Sequence, residues 1–87
     1  MTIAYHRNFT KGFKKLPIKH QDKFKQRLRL FKEDSFSPTL NNHELIGNYK
    51  GYRSINVTGD LRAVFKIEED DNILFVKIDS HSNLYKK

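Results

Sequence analysis

The chain contains no cysteine, and this absence removes several kinds of chemistry at once. Disulfide bonds, thiolate nucleophiles and cysteine-based zinc sites are all excluded. No stretch approaches the ~20 consecutive apolar residues that a membrane-spanning helix requires, so we expect no membrane partner. The first residues also lack the apolar segment of a signal peptide. These features favour a protein of the reducing cytoplasm.

Nucleotide and metal sites lack their usual sequence signals as well. No glycine-rich loop of the kind that cradles a nucleotide phosphate is present, so kinase or NTPase activity is not expected. His43, Asp60 and His81 are far apart in the sequence, and no His-x-x-x-His pair is available to preorganise a metal site. We therefore expect neither a metal nor another cofactor.

Positive charge is the strongest compositional signal. Seventeen lysines and arginines oppose ten aspartates and glutamates, which gives the 87-residue chain a formal net charge of +7. Such an excess favours a polyanionic partner: nucleic acid first, an acidic protein second and an anionic membrane surface third. The length suits one domain over residues 1–87 with a modest core.

The first half of the chain has the apolar periodicity of helices. Residues 2–5 are compatible with an edge strand. Apolar residues then recur at i, i+4 and i+7 in two successive segments, which is the spacing of one helix face. The second segment spans about residues 18–33 and follows Pro17, a residue that suits the first turn of a helix. The apolar positions are Phe9, Phe13 and Leu16 in the first segment and Phe24, Leu28 and Phe31 in the second.

After residue 51 the apolar period changes to two, which predicts strands at about 52–57, 61–68 and 73–79. A three-residue turn over 58–60 places Val57 opposite Leu61 and Asn56 opposite Arg62. One face of this sheet is then apolar, and in the last strand it includes Leu74, Val76 and Ile78. The opposite face carries Arg62, Lys66, Lys77 and His81. A slip of one residue would invert the assignment.

The predicted fold class is α+β. An N-terminal strand is followed by an αα-hairpin and then by a C-terminal antiparallel β-meander, with the helices packed on one face of the sheet.

Four short motifs occur in a fixed order in the second half of the chain. They are His43-x-Leu45-x-Gly47, Gly51-Tyr52-Arg53, Asp60, and His81-Ser82-x-Leu84-Tyr85. Together, in one small basic domain, they resemble the RelE/ParE superfamily of bacterial toxins, and most closely its YafQ-like branch. The resemblance implies a RelE-like fold with the α+β order above. It also implies the toxin of a type II toxin–antitoxin system, with ribosome-dependent cleavage of mRNA in the A site as its activity.

The chemistry implied by the resemblance is metal-independent cleavage of an RNA phosphodiester. The 2′-hydroxyl attacks the adjacent phosphorus and displaces the 5′-oxygen, which requires a base, an acid and cations near the phosphoryl oxygens. His43 and His81 match catalytic histidine positions, and imidazole suits proton transfer near neutral pH. Asp60 matches an acidic position at the hairpin turn, where it orients a histidine or acts as a base. Arg62 suits a phosphate, and Tyr85 suits stacking on a base.

RNA contacts and protein partners follow from the same resemblance. The expected RNA-binding residues are Lys50, Arg53, Asn56, Lys66 and Lys77. The implied partners are a cognate antitoxin, the ribosome and its mRNA, with operator DNA bound only through the toxin–antitoxin complex. His6 and His20 match no motif position and are expected to lie at the surface.

Asn56 departs from the YafQ-like pattern, which usually has a histidine at this position. Asparagine forms hydrogen bonds but does not exchange a proton near neutral pH. Our hypothesis is that Arg62 supplies the electrostatic help that Asn56 lacks. Two alternatives stay open: a catalytically degenerate toxin that only binds RNA or the ribosome, and a ParE-like inhibitor of DNA gyrase, an activity that does not need His43 and His81.

Overall fold

A mixed five-stranded sheet with helices on both faces forms the structure, a computed structural model that describes residues 1–85. Lys86 and Lys87, which we expect to carry solvated charge, lie outside the described residues. The strands are β1 (Thr2–Tyr5), β2 (His43–Glu44), β3 (Arg53–Asn56), β4 (Leu61–Glu68) and β5 (Asn72–Ser80). The helices are α1 (Arg7–Lys14), α2 (Ile18–Glu33) and α3 (His81–Leu84). The predicted α+β class is confirmed.

The sheet runs in the order β1-β5-β4-β3-β2. β1 is an edge strand that pairs in parallel with β5, whereas the other three pairings are antiparallel. The expected N-terminal edge strand and the β3–β4–β5 meander are therefore confirmed. The short strand β2, at the opposite edge, was not predicted. None of the helices within residues 1–85 combines the length and apolar character needed to cross a lipid bilayer.

The pairing of β3 with β4 has the register expected from a three-residue turn. Asn56 lies opposite Arg62, and the Val57 N–H donates to the Leu61 carbonyl at 2.8 Å. The Thr58 hydroxyl closes the turn by accepting a hydrogen bond from the Leu61 N–H at 3.0 Å. The side chains of these two strands therefore lie on the faces of the sheet that were predicted.

A β-bulge interrupts the pairing of β4 with β5. Phe65 lies opposite Phe75, but the preceding residue, Val64, lies opposite Lys77, so β5 contains one extra residue, Val76. Val76 packs with Val64 on the sheet face away from α1 and α2. Two consecutive side chains of β5, those of Val76 and Lys77, therefore face the same way.

The bulge overturns the predicted facing of β5. The prediction that Leu74, Val76 and Ile78 share the face beneath the helices is wrong. Ile78 does join that core together with Ile73, but Val76 packs on the other face and Leu74 lies opposite Lys66. One extra residue shifts the alternation by one position, which a strict period of two cannot represent.

Phe75 is the centre of the core between the sheet and the first two helices. It is fully buried, and its ring centroid lies 5.3–6.0 Å from those of five other aromatic residues. These are Tyr5 in β1, Phe9 in α1, Phe24 and Phe31 in α2, and Phe65 in β4. Of the predicted apolar helix positions, Phe9, Phe24 and Phe31 are buried in this core, and Phe13, Leu16 and Leu28 pack against it partly buried. Leu16 lies beyond the end of α1, so its predicted place on that helix is wrong.

Helix α1 lies close against β5 because Gly12 has no side chain. A Cβ atom at this position would lie 3.2 Å from the Ile78 carbonyl oxygen. The N-terminus of α1 is capped by His6, whose Nδ1 accepts a hydrogen bond from the Asn8 N–H at 3.0 Å. α1 is therefore fixed at its start by a histidine and along its length by close backbone packing.

A smaller apolar cluster occupies the opposite face of the sheet. It contains the buried residues Leu45, Val64 and Leu84, with Tyr49 and Tyr52 packed against it. Leu84 belongs to α3, so this cluster holds the last helix on the face that α1 and α2 leave uncovered. The sequence did not predict a helix on this side.

Replacing Phe75 with alanine is expected to lower the free energy of unfolding by about 3–5 kcal/mol, because a buried ring is lost and a cavity remains. Urea denaturation followed by circular dichroism measures this change. Ile18→Ala is the control: Ile18 is 68% exposed, and its loss should cost no more than about 0.5 kcal/mol. Equal losses in the two variants would contradict the central role of Phe75.

Candidate active site

The short helix α3 carries His81 at its start and leads directly to Tyr85. Asp79 Oδ1 accepts hydrogen bonds from the Ser80 N–H at 2.8 Å and from the Asn83 side chain at 3.0 Å. Ser80 Oγ in turn accepts a hydrogen bond from the Asn83 N–H at 3.1 Å. A helix of this length is not stable by itself. These side-chain bonds, together with the packing of its apolar residue, hold it in place.

A backbone hydrogen bond joins the β3–β4 turn to α3. The His81 N–H donates to the Asp60 carbonyl at 2.8 Å. Both residues are exposed, so the Asp60 carboxylate and the His81 imidazole are open to solvent at the same end of the inner strands β4 and β5. Two predicted catalytic residues that are distant in the sequence are therefore neighbours.

Arg62 lies next to this end of the strands, on the sheet face that α3 covers. It is opposite Asn56 in β3 and opposite Asp79 in β5. Its Nη1 donates to the carbonyls of Thr58 at 3.1 Å and Gly59 at 3.0 Å, which holds the guanidinium against the turn. The N–H groups on Nε and Nη2 take no part in these two bonds. They have the planar arrangement that suits two oxygens of a phosphate.

Tyr85 completes the group around Arg62. Its ring centroid lies 4.7 Å from that of His81 and 6.4 Å from that of Tyr49. Burial raises the pKa of Tyr85 above its ordinary value; the positive charge of Arg62 lowers it, and Tyr49 raises it further. Because the net shift is upward, the Tyr85 hydroxyl stays protonated at neutral pH and can donate a hydrogen bond.

His43 lies on the same face but two strands away, in the edge strand β2, where it is opposite Ser54. Its Nδ1 lies 2.8 Å from the Asn41 carbonyl oxygen. Because a carbonyl oxygen only accepts, Nδ1 carries the proton, and Nε2 of the neutral ring is left free to accept one. Two strand spacings separate β2 from β4, or roughly 10 Å. Both side chains lie on this face, so an RNA lying across it meets His43 on one side and Arg62 on the other.

Two polar side chains on this face of the sheet lack hydrogen-bond partners. Within residues 1–85, neither the Ser54 Oγ nor the Asn56 Oδ1 has a hydrogen-bond partner, although both atoms are buried. An unsatisfied buried polar atom costs about 1–3 kcal/mol, and such atoms in native structures call for an explanation such as a functional role. The same described residues contain no cluster of three histidine, aspartate or glutamate side chains that would hold a metal ion.

The predicted RNA-binding residues are divided between the two faces. Asn56 and Lys77 share the face of Arg62. Lys66 lies further along the same face and forms an ion pair with Glu68 at 3.6 Å. Lys50 is exposed in the loop before β3. The structure therefore brings Asn56 and Lys77 to the candidate site and leaves Lys50 and Lys66 at its periphery.

Arg53 lies on the opposite face, next to the helices. Its Nε donates to the Asn42 Oδ1 at 2.8 Å, Nη1 lies 3.5 Å from the Glu44 carboxylate, and the guanidinium lies 5.4 Å from the centre of the Phe36 ring. These contacts anchor the loop after α2 to the sheet. The structure does not bring Arg53 to the group around Arg62.

Comparison with known proteins identifies the family. The family model for YafQ, described as the bacterial toxin of a type II toxin–antitoxin system, matches residues 1–86. The chain belongs to the YafQ family of bacterial type II toxins. The resemblance inferred from the four motifs is therefore confirmed.

Solved structures of related toxins have the same fold along nearly the whole chain. YafQ from E. coli strain BL21(DE3) is 24% identical, with 95% of this chain and 96% of that chain covered and a TM-score of 0.80. YafQ in an E. coli DinJ–YafQ toxin–antitoxin complex is 25% identical, with coverages of 95% and 94% and a TM-score of 0.76. A YoeB/ParE toxin from Agrobacterium tumefaciens is 16% identical, with coverages of 93% and 99% and a TM-score of 0.77. No curated protein sequence matches the chain.

Two residues at this YafQ-family site were not identified as site residues from the sequence. Asp79 holds the start of α3, and the only signal for it was the serine that follows, a preferred N-cap residue. Tyr49 lies beside Tyr85, in a loop between two glycines with positive φ, Gly47 at +68° and Gly51 at +94°. The glycines of the family motifs therefore shape the loop that presents Tyr49.

The Tyr85 pKa is expected to rise in Arg62→Ala, because the charge that lowers it is removed while the burial that raises it remains. Ultraviolet titration of phenolate formation measures the change, and Tyr85→Phe identifies the relevant signal among the four tyrosines. Arg29→Ala, at an exposed position of α2, should leave the titration unchanged. A Tyr85 pKa that stays constant or falls in Arg62→Ala would refute this electrostatic contact.

Proposed function

We propose that this YafQ-family toxin is a metal-independent endoribonuclease that cuts mRNA in the ribosomal A site and thereby stops translation. The observation that carries the proposal is the convergence of His81, Tyr85, Arg62 and Asp60 at one end of strands β4 and β5, with His43 on the same face of the sheet. Phosphodiester cleavage requires proton-transfer groups and a cation near the phosphate, and this group of residues supplies both. Cleavage on ribosomes implies a cytoplasmic location.

Each side chain has a role in this proposal. His43 Nε2 accepts the proton of the 2′-hydroxyl while that oxygen attacks the adjacent phosphorus. His81 donates a proton to the 5′-oxygen as its bond to phosphorus breaks, which leaves a 2′,3′-cyclic phosphate and a 5′-hydroxyl. The free N–H groups of Arg62 bind the phosphoryl oxygens, and the protonated Tyr85 hydroxyl donates to the same group. The backbone bond holds Asp60 beside His81, and the Asp60 carboxylate orients the imidazole.

RNA outside the reacting phosphate lies along the basic part of the same face. Lys77 and Asn56 contact the RNA next to Arg62, and Lys66 and Lys50 contact it further from the cut. Such contacts are mainly electrostatic and weaken as salt concentration rises.

A cognate antitoxin is the proposed protein partner. The E. coli relative is described in complex with the antitoxin DinJ, and the net charge of +7 suits an acidic or flexible antitoxin segment. Such a segment would cover the basic face or displace α3, and operator DNA would be bound only by the toxin–antitoxin complex. Failure of the co-expressed antitoxin to suppress cleavage would count against this part of the proposal.

The central test is mRNA cleavage during translation in vitro, with mapping of the new 5′ ends. Wild-type protein should cut at A-site codons only when ribosomes are present. His81→Ala should reduce cleavage by ~10²–10⁴-fold, because an acid–base group is lost while the backbone bond to Asp60 is kept. His20→Ala, a histidine on α2 outside the site, is the matched control and should cleave at the wild-type rate.

Intact mRNA in the presence of folded wild-type protein would refute the nuclease proposal. Asn56, which replaces the usual family histidine, favours a degenerate toxin that only binds RNA or the ribosome in that case. A DNA gyrase supercoiling assay would distinguish that protein from a ParE-like gyrase inhibitor.

The hypothesis that Arg62 compensates for Asn56 has its own test. Arg62→Ala should lower cleavage by about 10²–10³-fold, the usual effect of removing a donor to a developing negative charge. Adding Asn56→His to this variant should restore part of the loss, because the two residues are opposite each other in the sheet. No loss in Arg62→Ala together with faster cleavage in Asn56→His alone would rule out compensation by Arg62.

Arg62 also bonds to the β3–β4 turn, so its removal needs a structural control. Arg62→Lys keeps the positive charge but loses the planar fork, and we expect it to cleave more slowly than wild type. Thermal unfolding of both Arg62 variants, with Arg29→Ala as reference, separates a change of stability from a change of chemistry.

A further inference from the structure

A groove with a volume of about 380 Å³ lies beside the candidate active site, on the same side of the sheet. Its lining includes Lys77 from the bulge, Tyr49 and Tyr52 from the loop before β3, Asn48, and His6 from the junction of β1 with α1. Lys77 and Asp79 are two residues apart in β5, and Asp79 is opposite Arg62. The groove is therefore about 7 Å along the strand from the Arg62 position.

The bulge is the reason that Lys77 reaches this groove. With regular pairing, the alternation that buries Phe75 would place residue 77 on the same face as Phe75, under the helices. The extra residue turns Lys77 to the opposite face, where it is half-buried. Among residues 1–85, Lys77 forms no ion pair. Its positive charge is available to an anion.

His6 contributes a hydrogen-bond donor at Nε2. The Asn8 N–H donates to its Nδ1 at 3.0 Å, so Nδ1 is unprotonated and Nε2 of the neutral ring carries the hydrogen. The His6 N–H donates to the Phe75 carbonyl at 2.8 Å, which fixes the residue directly beside the bulge. His6 therefore offers its Nε2–H as a hydrogen-bond donor, and its backbone is held in place.

Tyrosine rings connect the groove to the candidate active site. The centroids of Tyr49 and Tyr52 are 6.4 Å apart in an edge-on arrangement, and the Tyr49 centroid is also 6.4 Å from that of Tyr85. Tyr49 thus lies between the groove and the candidate active site and contacts both. An aromatic face next to a lysine and a neutral donor is the combination that holds a single-stranded nucleotide, by stacking and phosphate contact.

We propose that this groove binds the nucleotide adjacent to the phosphate that is cut. Lys77 and the His6 Nε2–H contact its phosphate, the Tyr49 ring supports its base, and the Asn48 side chain hydrogen-bonds to the edge of that base. This inference rests on the proposed function in so far as the ligand is RNA. It adds a nucleotide subsite and three residues, His6, Asn48 and Tyr49, that no family motif contains.

The experiment measures binding without cleavage. The probe is a single-stranded RNA hexanucleotide that carries a 2′-O-methyl group on every ribose, so that no 2′-hydroxyl is present to attack. ¹H–¹⁵N NMR titration at low salt reports the affinity and the location of binding. Wild-type protein should show chemical-shift changes at His6, Asn48, Tyr49 and Lys77.

Two substitutions remove the groove contacts with little change to the fold. Lys77→Met keeps an unbranched apolar stem and should weaken binding about tenfold, because a charge-assisted hydrogen bond is lost. It should also reduce the slope of log affinity against log salt by about 0.7. His6→Asn keeps a side-chain acceptor at the N-cap of α1 and should weaken binding about threefold, because one neutral hydrogen bond is lost. The matched controls Lys19→Met and His20→Asn, both on α2, should bind like wild type.

The outcomes separate this inference from the nuclease proposal. Binding that maps to the groove and is weakened by both substitutions supports the subsite, even if wild-type protein leaves mRNA intact during translation. Unchanged affinity in Lys77→Met and His6→Asn, shifts confined to another surface, or no binding of the hexanucleotide at low salt would overturn the subsite, even if cleavage occurs.

Discussion

The burial of Phe75 is the constraint on which the rest of the structure depends. Its ring joins both long helices and the neighbouring strands to β5, and the bulge begins at the next residue. Because Phe75 faces the helices and one extra residue follows it, Val76 and Lys77 both face the other side. Without that extra residue the later positions of β5 would be inverted, and Asp79 would not lie opposite Arg62. The core and the candidate site are thus linked through the register of one strand.

The candidate site is assembled from parts of the chain that are distant in sequence. The hydrogen bond from the His81 N–H to the Asp60 carbonyl places α3 against the β3–β4 turn. Burial of Leu84 holds the same helix on the sheet face that carries Arg62. Two specific contacts, one polar and one apolar, thus set the position of the candidate residues on α3.

Hydrogen bonds at one ring nitrogen give two histidines opposite chemical roles. At His43 the Nδ1–H donates a hydrogen bond to the Asn41 carbonyl, which leaves Nε2 able to accept a proton. At His6 the Asn8 N–H occupies Nδ1, which leaves Nε2–H as a donor. The first suits proton transfer and the second suits binding of an anion. Both arise from local turns rather than from the sheet.

The sequence by itself determined the helix from Ile18 to Glu33, the register of β3 with β4, and the family with most of its candidate site residues. Local periodicity, a three-residue turn and short motifs carry this information, because each involves residues that are close in the chain. Only the tertiary structure decided the bulge and the position of α3. An extra residue in a strand leaves the apolar alternation on either side looking regular. The bond between His81 and Asp60 joins backbone groups that nearly every residue has, so no residue pattern encodes it.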